Sequence, residues 1–191
     1  SPNSYIPYVL EGPVAPAGAK ALRFYTTNTY KGGYAIMPAI DVDSITKYEI
    51  SFLGRAMNGS GSAKPTSITT LSSAYQGAII VGIVTDPSDI STFVPVDTVD
   101  LDDNDIHNCK VRFSSYKGDA NQEYGKFIAF LSEFTTSNNI FYVDNISVSL
   151  IDPCGEPLAI KVDSIGVYDA AISWKGNTPA YRVVVASEKV D

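Results

Sequence analysis

Short apolar runs separated by turn clusters, with no helical stripe between them, limit this chain to β architecture. "KALRFYT", "GYAIMPAI", "KYEISFLGRA", "GAIIVGIVT", "NCKVRFSS", "GKFIAFLSEF" and "IFYVDNISVSL" each span one strand length. Between them stand "YKGG", "NGSGSAKPTS", "TDPSD", "DLDDND" and "YKGDANQEYG", rich in the residues that turn a chain. No segment keeps a 3.6-residue apolar stripe with caps. Many strands with turn punctuation predict an antiparallel sandwich or barrel. "GAIIVGIVT" and "GKFIAFLSEF", apolar on both faces, read as internal strands, and Pro38 demotes the end of "GYAIMPAI" to an edge or bend.

The chain has 191 residues, 45% of them hydrophobic and 18% charged, enough for a packed core and contrary to disorder. Its net charge is −7 with no basic run, so nucleic acid and anionic membrane surfaces are poor partners. No apolar run approaches the roughly 20 residues of a membrane-spanning helix, so no membrane insertion is expected. The start, "SPNSYIPYVLEG", has no signal-peptide pattern. Cys109 and Cys154 can pair, but Cys109 alternates with Val111 and Phe113, which predicts a buried free thiol.

Composition shifts at "IDPCGEP". Beyond it come three strand signals, Leu158 to Ile165, Ala170 to Lys175 and Tyr181 to Ser187, the middle one carrying Trp174, the only tryptophan. Three strands do not cover a core of their own. We therefore divide the chain into 1–152 and 153–191, the second an incomplete sandwich.

This tail, with a Pro-led first strand, "ISW" on the second and "YRVVV" on the third, resembles the opening of a fibronectin type III domain. The resemblance implies that Trp174 is its core tryptophan. The preceding region resembles the cleaved-adhesin domain, a jelly-roll module akin to MAM-type and sugar-binding modules in secreted bacterial gingipain-type proteases and haemagglutinins. Three phrases carry this: Gly18, Ala21 and Leu22; Pro38, Ile40 and Asp41 leading into Tyr48, Ile50, Ser51 and Phe52; and Asp144, Asn145 and Ile146 on the last strand. Such domains usually open with an extra strand bearing an acid and an aromatic, which this sequence does not display. The resemblance implies an all-β jelly-roll sandwich followed by a partial immunoglobulin-like sandwich. It also implies a bacterial secreted or cell-surface location, a glycan or extracellular protein as partner, and other domains of a longer modular protein.

Asp144 poses the sharpest local question. Simple alternation puts it in a row with Ile140, Tyr142, Ile146, Val148 and Leu150. A carboxylate in an apolar row must be paired, hydrogen-bonded or metal-bound. One expectation is an acid held by backbone amides or by a Lys or Arg. The other, implied by the resemblance, is a calcium ligand, calcium taking about 6–8 oxygens. The run "DTVDLDDNDIHN" holds Asp97, Asp100, Asp102, Asp103 and Asp105 but fails the EF-hand template. Counting from Asp100 puts Asp105 where Gly is required and Val111 where the bidentate Glu belongs. A solvated acidic turn is expected there.

For a ligand platform the sequence offers Tyr25, Tyr30, Tyr34, Tyr75, Tyr116 and Tyr124 in or beside loops, with Asn28, Asn58, Asn121 and Gln122 nearby. No catalytic motif accompanies them: the single histidine, His107, lies in the acidic turn and there is no G-x-S-x-G elbow. The expectation is a non-catalytic adhesion module, or else an accessory or spacer domain of a larger secreted protease or glycoside hydrolase.

Overall fold

The computed structural model describes residues 8–11, 15–17, 20–26, 33–59, 77–118, 127–132, 138–153 and 157–176. They fall into two compact units, Ser1–Leu150 and Ile151–Asp191.

The first unit is a sandwich of two antiparallel sheets. One carries five strands in the order β1 (Tyr8–Glu11), β2 (Lys20–Thr26), β9 (Asn139–Leu150), β4 (Tyr48–Asn58), β7 (His107–Arg112). The other carries four, in the order β3 (Tyr34–Ile36), β8 (Phe127–Ser132), β5 (Ala78–Val84), β6 (Phe93–Asp100). From β2 onward the chain changes sheet at every connection but β5 to β6, the winding of a jelly roll. The core follows from alternation. Phe24, Ile50, Phe52, Ala56, Val111, Phe141 and Val143 come from the five-stranded sheet, and Ile79, Val81, Ile83, Ile128 and Phe130 from the four-stranded one. Phe52 and Phe130 meet edge to face across the interior, ring centroids 5.2 Å apart at 89°. Gly54 makes room in the same core: an added Cβ would lie 3.0 Å from Cys109 Sγ and 3.1 Å from Leu101 Cδ2.

Two strands differ from the sequence reading. β1 is present and pairs with β2 from Tyr8↔Arg23 to Glu11↔Lys20, a strand the sequence reading did not place in "SPNSYIPYVLEG". Its four residues are too few to show alternation. β6 carries no strand signal in the sequence reading, which places its second half, from Asp97, in the acidic turn. Pro95 and two aspartates break its apolar pattern, and it lies at a sheet edge, where proline is tolerated.

A bulge in β9 also overturns the simple alternation. Ser51 pairs with Ser147 and Leu53 with Asp144, so β9 spends one more residue than β4 over the same length. Asn145, in that interval, is the one described non-glycine residue with positive φ, at 49°. The extra residue changes the phase. Phe141 and Val143 face the core before it and Val148 packs against the core after it. Asp144 therefore lies with Ile140 and Tyr142 on the outer face, not in one row with Val148 and Leu150. That outer face has a small cluster of its own: Ala21, Tyr25, Met57, Ile140 and Tyr142, with Ala15 packed on it.

The second unit shows one antiparallel ribbon, β10 (Leu158–Ile165) with β11 (Ala170–Lys175), the two spans expected. Val162 pairs with Ile172, and both remain exposed, at 58% and 47%. The third expected strand, Tyr181 to Ser187, lies outside the described residues. Among the described residues no helix is long and apolar enough to cross a membrane.

Candidate functional site

The outer face of the four-stranded sheet is assembled by the alternation that builds the core. In "YAI", Ala35 packs against the core, leaving Tyr34 and Ile36 on the other side. In β8, Ile128 and Phe130 point inward and Phe127, Ala129 and Leu131 outward. In β5, Ile79, Val81 and Ile83 point inward, leaving Ile80, Gly82 and Val84. The pairings set these in rows across the strands. Tyr34, Leu131, Ile80 and Thr98 form one row; Ile36, Ala129, Gly82 and Pro95 the next; Phe127, Val84 and Phe93 a third.

The middle row is built from small residues and is covered. Ala129 and Gly82 are its two central residues, and the ring of Phe93 fills the space over Gly82. A Cβ there would stand 2.7 Å from Cε2 and Cζ of Phe93 and would collide with the carbonyl oxygen of Val94. Tyr34, Ile36, Ile80, Phe93, Phe127 and Leu131 are all half-buried, and Thr98 and Asp100 are exposed on the edge strand. The result is an outer face of half-buried apolar and aromatic side chains, closed at its centre, where Ala129 and Val84 are fully buried, and bordered by polar residues on the edge strand.

The structure disperses the tyrosines proposed from sequence. Tyr34 stands on this face. Tyr25 does not: it is 8% exposed on the outer side of the other sheet, with the Arg23 guanidinium 5.6 Å above its ring. Tyr116 is 6% exposed within the main core, carried there by a tight turn, Phe113–Ser115. Both are buried for one reason: a tyrosine near a loop in sequence can still lie on a face of a strand or turn that other residues cover. Tyr30, Tyr75 and Tyr124, with Asn28, Asn121 and Gln122, lie outside the described residues. Phe93 and Phe127 were missed. Phe93 sits on the unrecognised β6, and Phe127 in a run that signalled only a strand apolar on both faces.

Asp144 is held by amides. Its Oδ2 accepts from the Ala17 N–H at 2.9 Å and its Oδ1 from the Asn145 N–H at 2.7 Å. Among the described residues no group of three or more His, Cys, Asp or Glu side chains converges. Asp144 thus caps two backbone donors, the first of the two arrangements expected from the sequence. The acidic turn is exposed as expected, but its histidine is not merely solvated. His107 Nε2 lies 2.6 Å from Asp103 Oδ1, and this hydrogen bond lowers the Asp103 carboxyl below its ordinary range. A second ion cluster lies on the five-stranded sheet. Glu49, 6% exposed, receives Arg112 Nε at 3.0 Å and Lys110 Nζ at 3.3 Å. Two cations on one carboxylate balance its burial, which is a structural role. Cys109 is buried and free, as alternation predicted, and burial pushes its thiol up to about 12.

No family model matches the chain, and no curated protein matches it in sequence. Among solved structures it is similar to the K1 cleaved adhesin domain of Lys-gingipain from Porphyromonas gingivalis W83. That match has a TM-score of 0.53 and 11% identity, covering 78% of this chain and 85% of that one. The K3 cleaved adhesin domain of the same protein matches at TM-score 0.48 and 11% identity, covering 69% and 72%. A family 16 carbohydrate-binding module matches at TM-score 0.42 and 17% identity, covering 75% and 84%. The chain has a cleaved-adhesin-like fold, an all-β sandwich, as the sequence resemblance implied. At this identity the likeness is one of fold.

Proposed function

We propose that the chain is a non-catalytic binding module, secreted or displayed on a bacterial cell surface. It holds a glycan or an extracellular protein against the outer face of the four-stranded sheet. One observation carries the reading: Tyr34, Ile36, Ile80, Phe93, Phe127 and Leu131, three of them aromatic, lie half-buried together on the outer face of one sheet, beside the exposed Thr98 and Asp100. The cleaved-adhesin-like fold supports it. The unit from Ile151 is read as the opening of a type III sandwich within a longer modular protein, with Trp174 toward its apolar side.

The test compares the native protein with a Leu131→Ser, Phe127→Ser double variant on a glycan array and on immobilised collagen, fibronectin and mucin. We expect the native chain to bind at least one of these and the variant to bind about tenfold more weakly or worse. Full binding by a variant that keeps its native circular dichroism would move the site elsewhere. A second reading, a spacer or accessory domain of a larger secreted protease or glycosidase, is favoured by the division into two compact units. It predicts no binding by the native chain on any of these surfaces.

A further inference from the structure

We infer that the chain self-associates as a two-fold dimer through the free edge of β9, with Ile146–Leu150 pairing antiparallel to the same segment of a second copy. β2 pairs with β9 only from Asn139 to Val143. β9 runs on for seven more residues, to Leu150. Past the bulge it pairs on one side alone among the described residues, with β4 from Ser51↔Ser147 to Tyr48↔Leu150. Its other side presents a row of backbone donors and acceptors that a further strand would satisfy. This edge is uncovered: Ile146 is 37% and Leu150 62% exposed, and Ser147 and Ser149 are exposed as well.

Edge strands are commonly guarded by a charge, a proline or a bulge. Here such guards stand only at the ends, in the bulge at Asn145 and in Asp152 and Pro153 after the strand. The five residues between them carry no charge and no proline, in a chain of net charge −7. The guards limit the segment that can pair, so the ladder does not spread.

The order of residues in this segment selects a second copy as the occupant. Val148 packs against the core, so Ile146 and Leu150 share its face, and Ser147 and Ser149 lie on the other. Opposite residues of an antiparallel pair share a face, so a register slip of one would turn the partner's sheet over. Centred on Val148, all five residues pair. Ile146 then faces Leu150, Ser147 faces Ser149, and Val148 faces its own copy. Apolar meets apolar and hydroxyl meets hydroxyl, both favourable across strands. The same patch on both copies makes a closed dimer and not a filament, because each copy offers this edge once. So short an edge buries less than the roughly 1,000 Å² of a stable complex, and the dimer is weak and concentration-dependent.

The test is sedimentation velocity of the full chain from about 10 μM to about 1 mM, the range in which so weak a dimer forms. A dimer that grows with concentration is expected. Ser147→Lys with Ser149→Lys sets like charges opposite each other at two places and should weaken it about tenfold or more. Ser147→Glu with Ser149→Lys sets opposite charges at the same two places and should restore it to within about threefold of the native dimer or better. Both positions are exposed, and circular dichroism checks that each variant folds. A readout without any variant is hydrogen exchange of the native protein, in which amides within Ile146–Leu150 should exchange more slowly at the high concentration than at the low one. A chain that stays monomeric throughout, exchange that ignores concentration, a dimer indifferent to the two lysines, or one that the Glu and Lys combination fails to restore would overturn the inference.

Discussion

The amide of Ala17 donates to Oδ2 of Asp144 at 2.9 Å, joining segments 127 positions apart. It closes the strap Ala15–Ala17 over the outer face of the five-stranded sheet, where Ala15 packs against the cluster of Tyr25, Ile140 and Tyr142. The other oxygen holds Asn145, whose positive φ makes the bulge. One carboxylate thus fixes both the strap and the phase of β9. Asp144→Ala leaves two donors without their acceptor, and we expect a loss of about 1–3 kcal/mol in urea unfolding. Asp144→Asn, which keeps one acceptor oxygen, should lose less. Melting of the native protein should not move with chelator. A chelator shift that vanishes in Asp144→Asn would instead assign the carboxylate to calcium.

Gly82 is required by space, not by conformation. A methyl group there would meet the Val94 carbonyl oxygen, a backbone atom that cannot turn away, and the Phe93 ring. Gly82→Ala should therefore cost about 1–3 kcal/mol, the range for overpacking a filled site, measured by denaturant unfolding. It should also shift the ring-proton signals of Phe93. An unchanged stability would mean that β6 floats on β5 more loosely than their pairing implies.

Much of this was legible in the chain, because a period-2 pattern carries through to the pleat wherever pairing is regular. The runs of β5 and β8, apolar on both faces, announced internal strands, and Cys109, Val111 and Phe113 the buried face of β7 and its turn. Legibility stopped where pairing is irregular or sparse. The β9 bulge moved Asp144 out of the row that simple alternation assigned it, and no local feature but the Asp-Asn pair signals the slip. Pro95 and the flanking acids hid β6, and with it Phe93. Sequence neighbourhood could not tell Tyr34, half-buried on an outer face, from Tyr25 and Tyr116, which the fold buries. That outer face is a product of register: Gly82, Ala129 and Ile36 are far apart in sequence and meet only because three strands align.

The Asp103–His107 pair gives a titration that can be read residue by residue. The histidine hydrogen bond holds the Asp103 carboxyl below its ordinary value of about 3.9. Its contribution to stability is thus present above that pH and lost as pH falls through the lowered value. Both side chains are substantially exposed, so the effect on a melt should be small. Carbon-13 NMR should nevertheless show Asp103 titrating below the ordinary aspartate value. His107→Ala should bring it back toward the ordinary range; an unmoved titration would show that the pair does not persist in solution.

Unfolding should not be two-state. Trp174 is the only tryptophan and sits in the second unit, where the ribbon leaves Ile160, Val162 and Ile172 exposed. A two-stranded ribbon alone is marginal in water. Tryptophan fluorescence should therefore change at lower urea than the far-ultraviolet circular dichroism dominated by the first unit. Coincident curves would mean that the two units unfold as one.

Cys109 reports on the first unit in the same experiment. It is 5% exposed, packed into the space that Gly54 leaves beside Leu101. Burial raises its thiol from 9.0 to about 12, and the thiolate is the reactive form. The folded chain should resist iodoacetamide at mildly alkaline pH, where an exposed cysteine reacts. Labelling of Cys109 in rising urea should follow the circular dichroism transition and not the tryptophan transition. The raised value also sets a direction with pH. The neutral thiol's stabilising contribution is complete below 9.0 and is lost as pH climbs toward about 12, because the unfolded chain ionises first. A Cys109→Ala variant should therefore show a smaller alkaline decline in unfolding free energy than the native protein. Equal declines would mean that the thiol stays ionisable in the folded sandwich.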